Sequence, residues 1–498
     1  MNKVLFIEPN NPGDILMATV AVRTYKKKNP QSEIHFLVDQ ECAPLLENNP
    51  HIDHCHVFKR SRLKSLFYDG RSGWKNAEED LDYFIKKLCL EKFNRIINFF
   101  QNPIGPLFTK LITAAEITGA TINPYGDMVV RDKWSRYLYA IPYARQYTAL
   151  HVSDIFCRIA GVTSENEGPV LILKRDEEKF AEDFFARRGL KNNTVAFQAG
   201  SAYSSKRWLV EYYMSLASLL RDNGYEILFL GAPQEADFIN NICVGITPKP
   251  VIAAGKTTIR ESAALIKKCA VLITGDTAAM HMAAAFGKRA VCIFGPTSPR
   301  ETGPYCQGFH ILGGQCECFG NYTSSCPDQK CMRAVTPEMV LACAMGKEYK
   351  FGPEIRHAVS SWDGENSRMV YPGWESEEVE QTSLSLLRAF DGENQRISAS
   401  YERENLKTLL SFAEKADEII ASIGSKIDDR SVFDELKSKY NGIELEMDRL
   451  PGCAQFLVAD YRIKNNSLNA FDPLLLCSCM SENLKQMKDL LNRLIGSE

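Results

Sequence analysis

The sequence predicts an α/β protein: two Rossmann-like halves in tandem, followed by a mainly helical C-terminal extension. Two observations carry this. Short apolar strands alternate with helices over roughly the first 350 residues, the βα rhythm of a parallel sheet covered by helices. Beyond that the rhythm stops: residues 351–400 hold nine acids and four arginines, a net of −5, and long amphipathic patterns follow. A length of 498 residues fits two or three domains of ~150 residues. The expected divisions are 1–165, 166–350 and 351–498.

Val4–Glu8 is the first strand. Ile15–Lys28 reads as a helix, with Lys26, Lys27 and Lys28 opposing the negative end of its dipole. Glu33–Val38 and Asn94–Phe99 are further strands. Between them, Lys59–Lys75 carries six basic residues, Lys59, Arg60, Arg62, Lys64, Arg71 and Lys75, with aromatic Phe67, Tyr68 and Trp74. The pattern loosens at Gly161–Gly168, as suits a linker. A second series follows: strands at Thr194–Gln198, Glu226–Leu230, Ala270–Thr274 and Ala290–Phe294, with helices at Leu209–Arg221, Ile259–Cys269 and Ala279–Phe286. Two such halves predict a cleft, with ligands at the carboxyl ends of strands. In the extension, Asn405–Ile423 and Asn483–Leu494 read as helices.

Composition narrows the function. Hydrophobic residues are 45% and charged residues 24%, which excludes collagen-like and wholly disordered classes. Lys plus Arg is 59 against 62 acids, so no nucleic-acid partner is expected. No apolar run reaches the ~20 residues of a membrane span. MNKVLFIEPNN reads as a strand entering a loop, with no secretory signal, and a cytoplasmic location is expected. Most of the sixteen cysteines, such as Cys89, Cys157 and Cys292, sit in apolar runs and read as core.

Five motifs carry chemistry. In Asn11-Pro12-Gly13-Asp14, Gly13 permits a tight turn, and Asp14 is either a helix N-cap or a general base at the sheet's carboxyl edge. Gly200-Ser201 with Ser204-Ser205-Lys206-Arg207-Trp208 follows a strand and opens a helix. It can bind an anion, or be a solvated loop with Trp208 as a staple. It is not a P-loop, because the Gly-x4-Gly-Lys spacing is absent. Gly275-Asp276-Thr277-Ala278-Ala279-Met280-His281 again joins strand to helix. The first helical N–H groups and the Thr277 hydroxyl can hold a diphosphate, with Asp276 bracing the loop through backbone N–H groups. His281 alone reads more readily as a packed histidine. The turns Gly295-Pro296-Thr297 and Thr302-Gly303-Pro304-Tyr305 are weaker signals. Finally Cys316, Cys318, Cys326 and Cys331 can form a tetrahedral sulfur site for structural zinc or iron, with free thiols or a redox pair as the alternative.

Together these motifs resemble glycosyltransferase family 9, the ADP-heptose:lipopolysaccharide heptosyltransferases, over about residues 1–345. The resemblance rests on Gly13-Asp14-Ile15-Leu16-Met17-Ala18-Thr19, Gly200…Ser205-Lys206-Arg207-Trp208 and Gly275-Asp276-Thr277…Met280-His281-Met282-Ala283-Ala284. Phe294-Gly295-Pro296-Thr297, Thr302-Gly303-Pro304-Tyr305, and Cys331-Met332 before Val335-Thr336-Pro337-Glu338 complete it. It implies a GT-B architecture, two Rossmann-like domains facing across a cleft. The N-terminal half would hold the acceptor and the C-terminal half ADP-heptose. Transfer would proceed with inversion and without a catalytic cofactor. By this likeness Asp14 is the base. Gly13, Ser205, Lys206, Asp276, Thr277, Ala278 and His281 belong to the donor site, and Glu235 holds the nucleotide ribose. Position 278 is Ala where the family loop carries Gly, and the tail exceeds what the family needs.

The expected acceptor is a hydroxyl of a lipopolysaccharide core or related glycan. Arg60, Arg62 and Lys64 either meet its anionic groups or form a solvated loop, and peripheral contact with the inner membrane surface is a further expectation. Two other readings stand beside this one: a protein-directed heptosyltransferase with a cysteine-bound metal, and a non-catalytic nucleotide-sugar-binding protein. A nicotinamide dehydrogenase is disfavoured, because no Gly-x-Gly-x-x-Gly opens either half.

Overall fold

The computed structural model describes residues 2–68, 70–124, 126–143, 145–316, 319–320, 322, 325–363, 368–391, 400–425, 430–447, 449–450, 453–466 and 473–495. Contacts gather them into two compact units, Met1–Ile97 with Leu150–Trp374, and Asn98–Ala149 with Glu375–Glu498. This division differs from three consecutive segments bounded at 165 and 350. The second Rossmann-like half and residues 1–97 and 150–165 of the first fall within the first unit, while the stretch 98–149 packs with the C-terminal helices in the second.

The first lobe of unit one is built on β1 (Asn2–Ile7), β2 (Ser32–Asp39), β3 (His54–Phe58) and β4 (Phe93–Asn98), in the order β3-β2-β1-β4. β1 pairs with β2 and β2 with β3, both in parallel. Val4 to Ile7 are wholly buried, as expected of a strand covered on both faces. Helix α1 (Pro12–Lys28) starts with Pro at its first position, where a missing N–H costs nothing, and ends on its three lysines. The basic stretch is not a loop. Arg60–Tyr68 is helix α2 and Gly70–Leu90 is helix α3, whose Ala77 and Leu88 turn inward while Trp74 and Tyr83 face solvent. The basic charge that suggested a loop belongs to helices. The side chains of Phe67 and Arg71 lie outside the described set.

The second lobe has seven strands. Their order is Val251–Ile252, Glu226–Leu230, Thr194–Gln198, Val271–Gly275, Ala290–Ile293, His310–Gly314 and Ile355–Val359. The first six are parallel and the last is antiparallel. That is the 3-2-1-4-5-6 order of a Rossmann fold with an edge strand added. Its core includes Phe197, Phe229, Tyr213, Ile273 and Val291. Trp208 belongs to this core as well: it is buried, and its indole donates to the Val335 carbonyl at 2.9 Å. Helix Ile259–Lys268 opens with a reciprocal capping box. Thr258 accepts from the Glu261 N–H at 3.2 Å, and Glu261 accepts from the Thr258 N–H at 2.7 Å.

In the second unit, Ser400–Ser425 packs on Arg430–Met447 and Pro473–Ile495. Ala454–Asn466 packs on Lys133–Ala140, where the Tyr137 and Phe456 rings lie 4.8 Å apart and Arg136 Nε is 3.0 Å from Asp460 Oδ1. Among the described residues, no helix is long and apolar enough to cross a membrane.

Candidate active site

A cavity of about 650 Å³ lies within the first unit. The first lobe contributes Asn11, Gly13, Asp14 and Met17, and the second contributes the ends of strands Thr194–Gln198 and Val271–Gly275 with the turns that follow them. The sheet order reverses between those two strands, so the turns diverge there and leave a crevice.

The first-lobe wall depends on a turn before α1. Asn11 is its N-cap and sits at φ +64°, in the left-handed region that Asn tolerates better than most residues. Asp14 is therefore not the cap. It stands two residues into the helix, half-buried, and accepts a hydrogen bond from Asn11 Nδ2 at 2.9 Å. Burial raises its pKa to about 6. The carboxylates of Asp276 and Glu301 push the same way, while Asn11 and Lys206 pull against them. Such a carboxylate is ionised near neutrality yet more basic than an exposed one, the condition a general base needs. Gly13 matters for a different reason. A Cβ there would stand 3.2 Å from His281 Cδ2, so glycine lets the His281 ring close against α1.

Across the cavity, Lys206 closes the short 3₁₀ turn Ser204–Lys206. Arg207 folds that loop back by donating to the Ser201 carbonyl at 3.0 and 2.7 Å. The Lys206 ammonium lies 2.7 Å from Asp276 Oδ2 and over the rings of Tyr322 and Tyr203, 5.5 and 5.9 Å from their centroids. Burial would raise the Asp276 pKa, but Lys206 overrides it and the net shift is downward. Asp276 also accepts from Thr302 Oγ1 at 3.3 Å. Its partners are thus side chains rather than the backbone N–H groups expected of a loop brace.

Thr277 is the N-cap of helix Ala278–Ala285, but its hydroxyl bonds Thr274 Oγ1 at 2.9 Å and caps nothing. The Met280 N–H donates to the Thr277 carbonyl at 3.1 Å, the first helical N–H groups before it lack intrahelical acceptors, and Thr277, Ala278 and Ala279 all line the cavity. His281, one turn further, is buried and lines it too. Burial lowers its pKa to about 4, which makes it a neutral imidazole, and its Nδ1 has no hydrogen-bond partner among the described residues.

Glu235 stands on the remaining wall, where Gln198 Nε2 and the Ala232 N–H donate to its Oε2 at 3.0 and 2.9 Å. A Cβ on Gly200 would collide with the Glu235 carboxylate, and one on Gly231 would collide with Ile239. The two glycines mark where backbone and side chain share one space.

Of the expected residues, Asp14, Gly13, Lys206, Glu235, Asp276, Thr277, Ala278 and His281 line one cavity. Ser205 does not. It is buried beneath the loop, where its carbonyl would meet a Cβ on Gly295, because the 3₁₀ turn rotates it inward as it presents Lys206. Arg60, Arg62 and Lys64 do not line it either: Arg60 pairs with Asp39 at 2.8 Å and Arg62 with Asp80 at 2.5 Å. Of the four cysteines of the expected sulfur site, Cys318 lies outside the described residues, Cys316 is in a disulfide, and Cys326 and Cys331 are free thiols. Cys157 and Cys292 are core residues and Cys89 is half-buried. Sequence reasoning missed Asn11, Gln198, Tyr203 and Tyr322. Asn before Pro-Gly was a usable signal for a left-handed turn. Tyr322, which donates to Glu301 Oε2 at 2.8 Å, carried none.

The chain is similar to known glycosyltransferases. The model of "Glycosyltransferase family 9 (heptosyltransferase)" matches residues 126–332. Lipopolysaccharide heptosyltransferase 2 of Escherichia coli K12 is 24% identical over 311 residues, 61% of this chain and 85% of that protein. Lipopolysaccharide core heptosyltransferase OpsX of Haemophilus influenzae is 24% identical over 300 residues, 59% of this chain and 79% of that one. The crystal structure of a family 9 glycosyl transferase from Veillonella parvula superposes with a TM-score of 0.58 at 23% identity, over 69% of this chain and 96% of that one. The fold is of the GT-B type, and over residues 126–332 the chain is similar to glycosyltransferase family 9.

Proposed function

We propose that this glycosyltransferase transfers heptose from ADP-heptose to a hydroxyl of a lipopolysaccharide core or related glycan, with inversion at the anomeric carbon. One observation carries the proposal: a carboxylate with a raised pKa and a cation at a helix N-terminus line the same cavity from opposite lobes. That is the division of labour a single displacement requires.

In the proposed reaction the acceptor hydroxyl gives its proton to Asp14 as its oxygen attacks the anomeric carbon. The bond to the diphosphate breaks with positive charge on the sugar, and negative charge gathers on ADP. Lys206 and the N-terminus of Ala278–Ala285 stabilise that charge without moving far. Glu235, held by Gln198 and Ala232, accepts from the ribose hydroxyls. His281 is neutral at working pH and adds no charge to compete for the diphosphate.

Arg60 and Arg62 are each paired through Nε, with Asp39 and Asp80, so an anionic acceptor would meet them beside those carboxylates. The proposal therefore puts the reacting hydroxyl at Asp14 and leaves α2, with Lys64, as a secondary contact for charged groups of the glycan or a membrane surface. The test is Asp14→Asn. Transfer from ADP-heptose should fall by about 10²–10⁴-fold, while ADP binding, read by calorimetry, stays near that of the parent chain. Undiminished transfer by the variant would remove Asp14 from the reaction.

A further inference from the structure

Well apart from the cavity in sequence, three of the eight histidines fall on one face of the first-lobe sheet. On β2, Glu33 and His35 are two residues apart and so share a face. On the neighbouring edge strand β3, His54 stands directly opposite His35 in the parallel register, and His56 shares that face two residues on.

The ring nitrogens converge. Glu33 Oε1 is 3.1 Å from His35 Nε2 and 2.9 Å from His54 Nε2, and the three atoms lie within 4.8 Å of one another. Ligands at ~2.0–2.2 Å around a tetrahedral ion stand roughly 3.3 Å apart, so little movement would bring these three onto one cation. The surroundings suit the task. His35 is 1% exposed, its other nitrogen meets His56 Nε2 at 2.8 Å, and the ring of Phe93 abuts it edge-on at 5.0 Å. That contact fixes the orientation of the imidazole from behind, as an outer-shell partner does for a metal-bound histidine. His54 is 53% exposed, which leaves a path from solvent and room for a water ligand. Lys3 stands 3.7 Å from Glu33 Oε1 but is held at 2.6 Å by Glu91.

We propose that Glu33, His35 and His54 bind a divalent first-row transition ion of zinc's class, with His56 as the positioning residue behind His35. Two imidazoles and one carboxylate form a nitrogen–oxygen set that suits such an ion better than magnesium or calcium.

The full-length chain, free of any polyhistidine tag and stripped by a chelator, is titrated with Zn²⁺ against a chromophoric competitor. It is titrated separately with Co²⁺, followed by visible absorption. About one equivalent of Zn²⁺ should bind through this set, and the Co²⁺ spectrum of the site should lack a thiolate charge-transfer band. His54→Ala lies on the surface and should leave circular dichroism unchanged while lowering affinity by at least about tenfold. Glu33→Gln should do the same, and His56→Phe should weaken binding by about 10–100-fold. A separate group, His310, Cys343 and His357, also brings its ligand atoms within 4.8 Å. Cys343→Ser removes its thiol and should change nothing. Absence of Zn²⁺ binding, its survival in both His54→Ala and Glu33→Gln, or its loss in Cys343→Ser alone would overturn the assignment.

Discussion

At the scale of single residues, the site is an argument about where charge is tolerated. The Asp14 pKa is raised to about 6, chiefly by burial, so its conjugate base fills as pH climbs through that value. For a base whose ionised form is the active one, kcat/KM should rise about tenfold per pH unit below 6 and level off above it. A profile flat from pH 5 to 8 would exclude Asp14 as the titrating group. Lys206 and Asp276 form a mostly buried pair at 2.7 Å. Removing one partner strands the other, so Lys206→Ala should lower stability by about 2–4 kcal/mol and weaken ADP binding by about 10- to 100-fold. The double variant Lys206→Met, Asp276→Asn separates the two effects: stability should recover while ADP affinity does not. Recovery of both would assign the ammonium a purely structural part. Asp14, Lys206 and Thr277 were legible in sequence because each ends or follows a strand at a small-residue turn. The Lys206–Asp276 pair was not, since nothing local to residues 206 or 276 reveals a partner 70 positions away.

At the scale of elements, boundaries were legible wherever periodicity met a cap or a turn. Thr194–Gln198 and Glu226–Leu230 agree with expectation to the residue, because a continuous apolar run is bounded by Lys-Asn-Asn before the first and by Gly-Ala-Pro after the second. The stretch Lys59–Lys75 was misread as a loop: its charge density hid helix α2 and the start of α3, and a helix with so narrow an apolar stripe takes its definition from the sheet it covers. The turn at Gly200 gives the sharpest test at this scale. Strand, turn and the short helix Pro233–Glu235 meet where Glu235 fills the space a Cβ would need. Gly200→Ala should therefore cost about 1–3 kcal/mol and push Glu235 from the hydrogen bonds of Gln198 and Ala232. ADP affinity should fall by about tenfold, the worth of one hydrogen bond to a charged group. Glu235→Gln in the same background should then cost little more, because the carboxylate has already lost its place. Full additivity of the two changes would show that they act separately.

At the scale of the whole molecule, the sequence order hides the packing order. The βα rhythm announces two Rossmann-like halves, but no local pattern says that residues 98–149 pack with helices hundreds of positions later. That information lies in the complementarity of faces: Tyr137 against Phe456, and Arg136 against Asp460, each member of both pairs at least half-buried. The consequence is a prediction about a shortened chain. Every residue lining the cavity with Asp14 lies between 11 and 322 in the first unit, so a chain ending at Trp374 retains the complete lining. What it loses is the partner of Lys133–Ala140. Tyr137 is 2% exposed, and stripping the cover from a buried aromatic forfeits a sizeable part of ~150–250 Å² of buried surface. Hydrogen exchange should consequently speed up across residues 98–149 and stay slow in the strands of unit one. ADP should still bind, and the shortened chain should associate through the uncovered face. Unchanged protection over 98–149 would mean that this segment folds without the tail. Loss of ADP binding would mean that the tail acts on the cavity through a route the lining residues do not reveal.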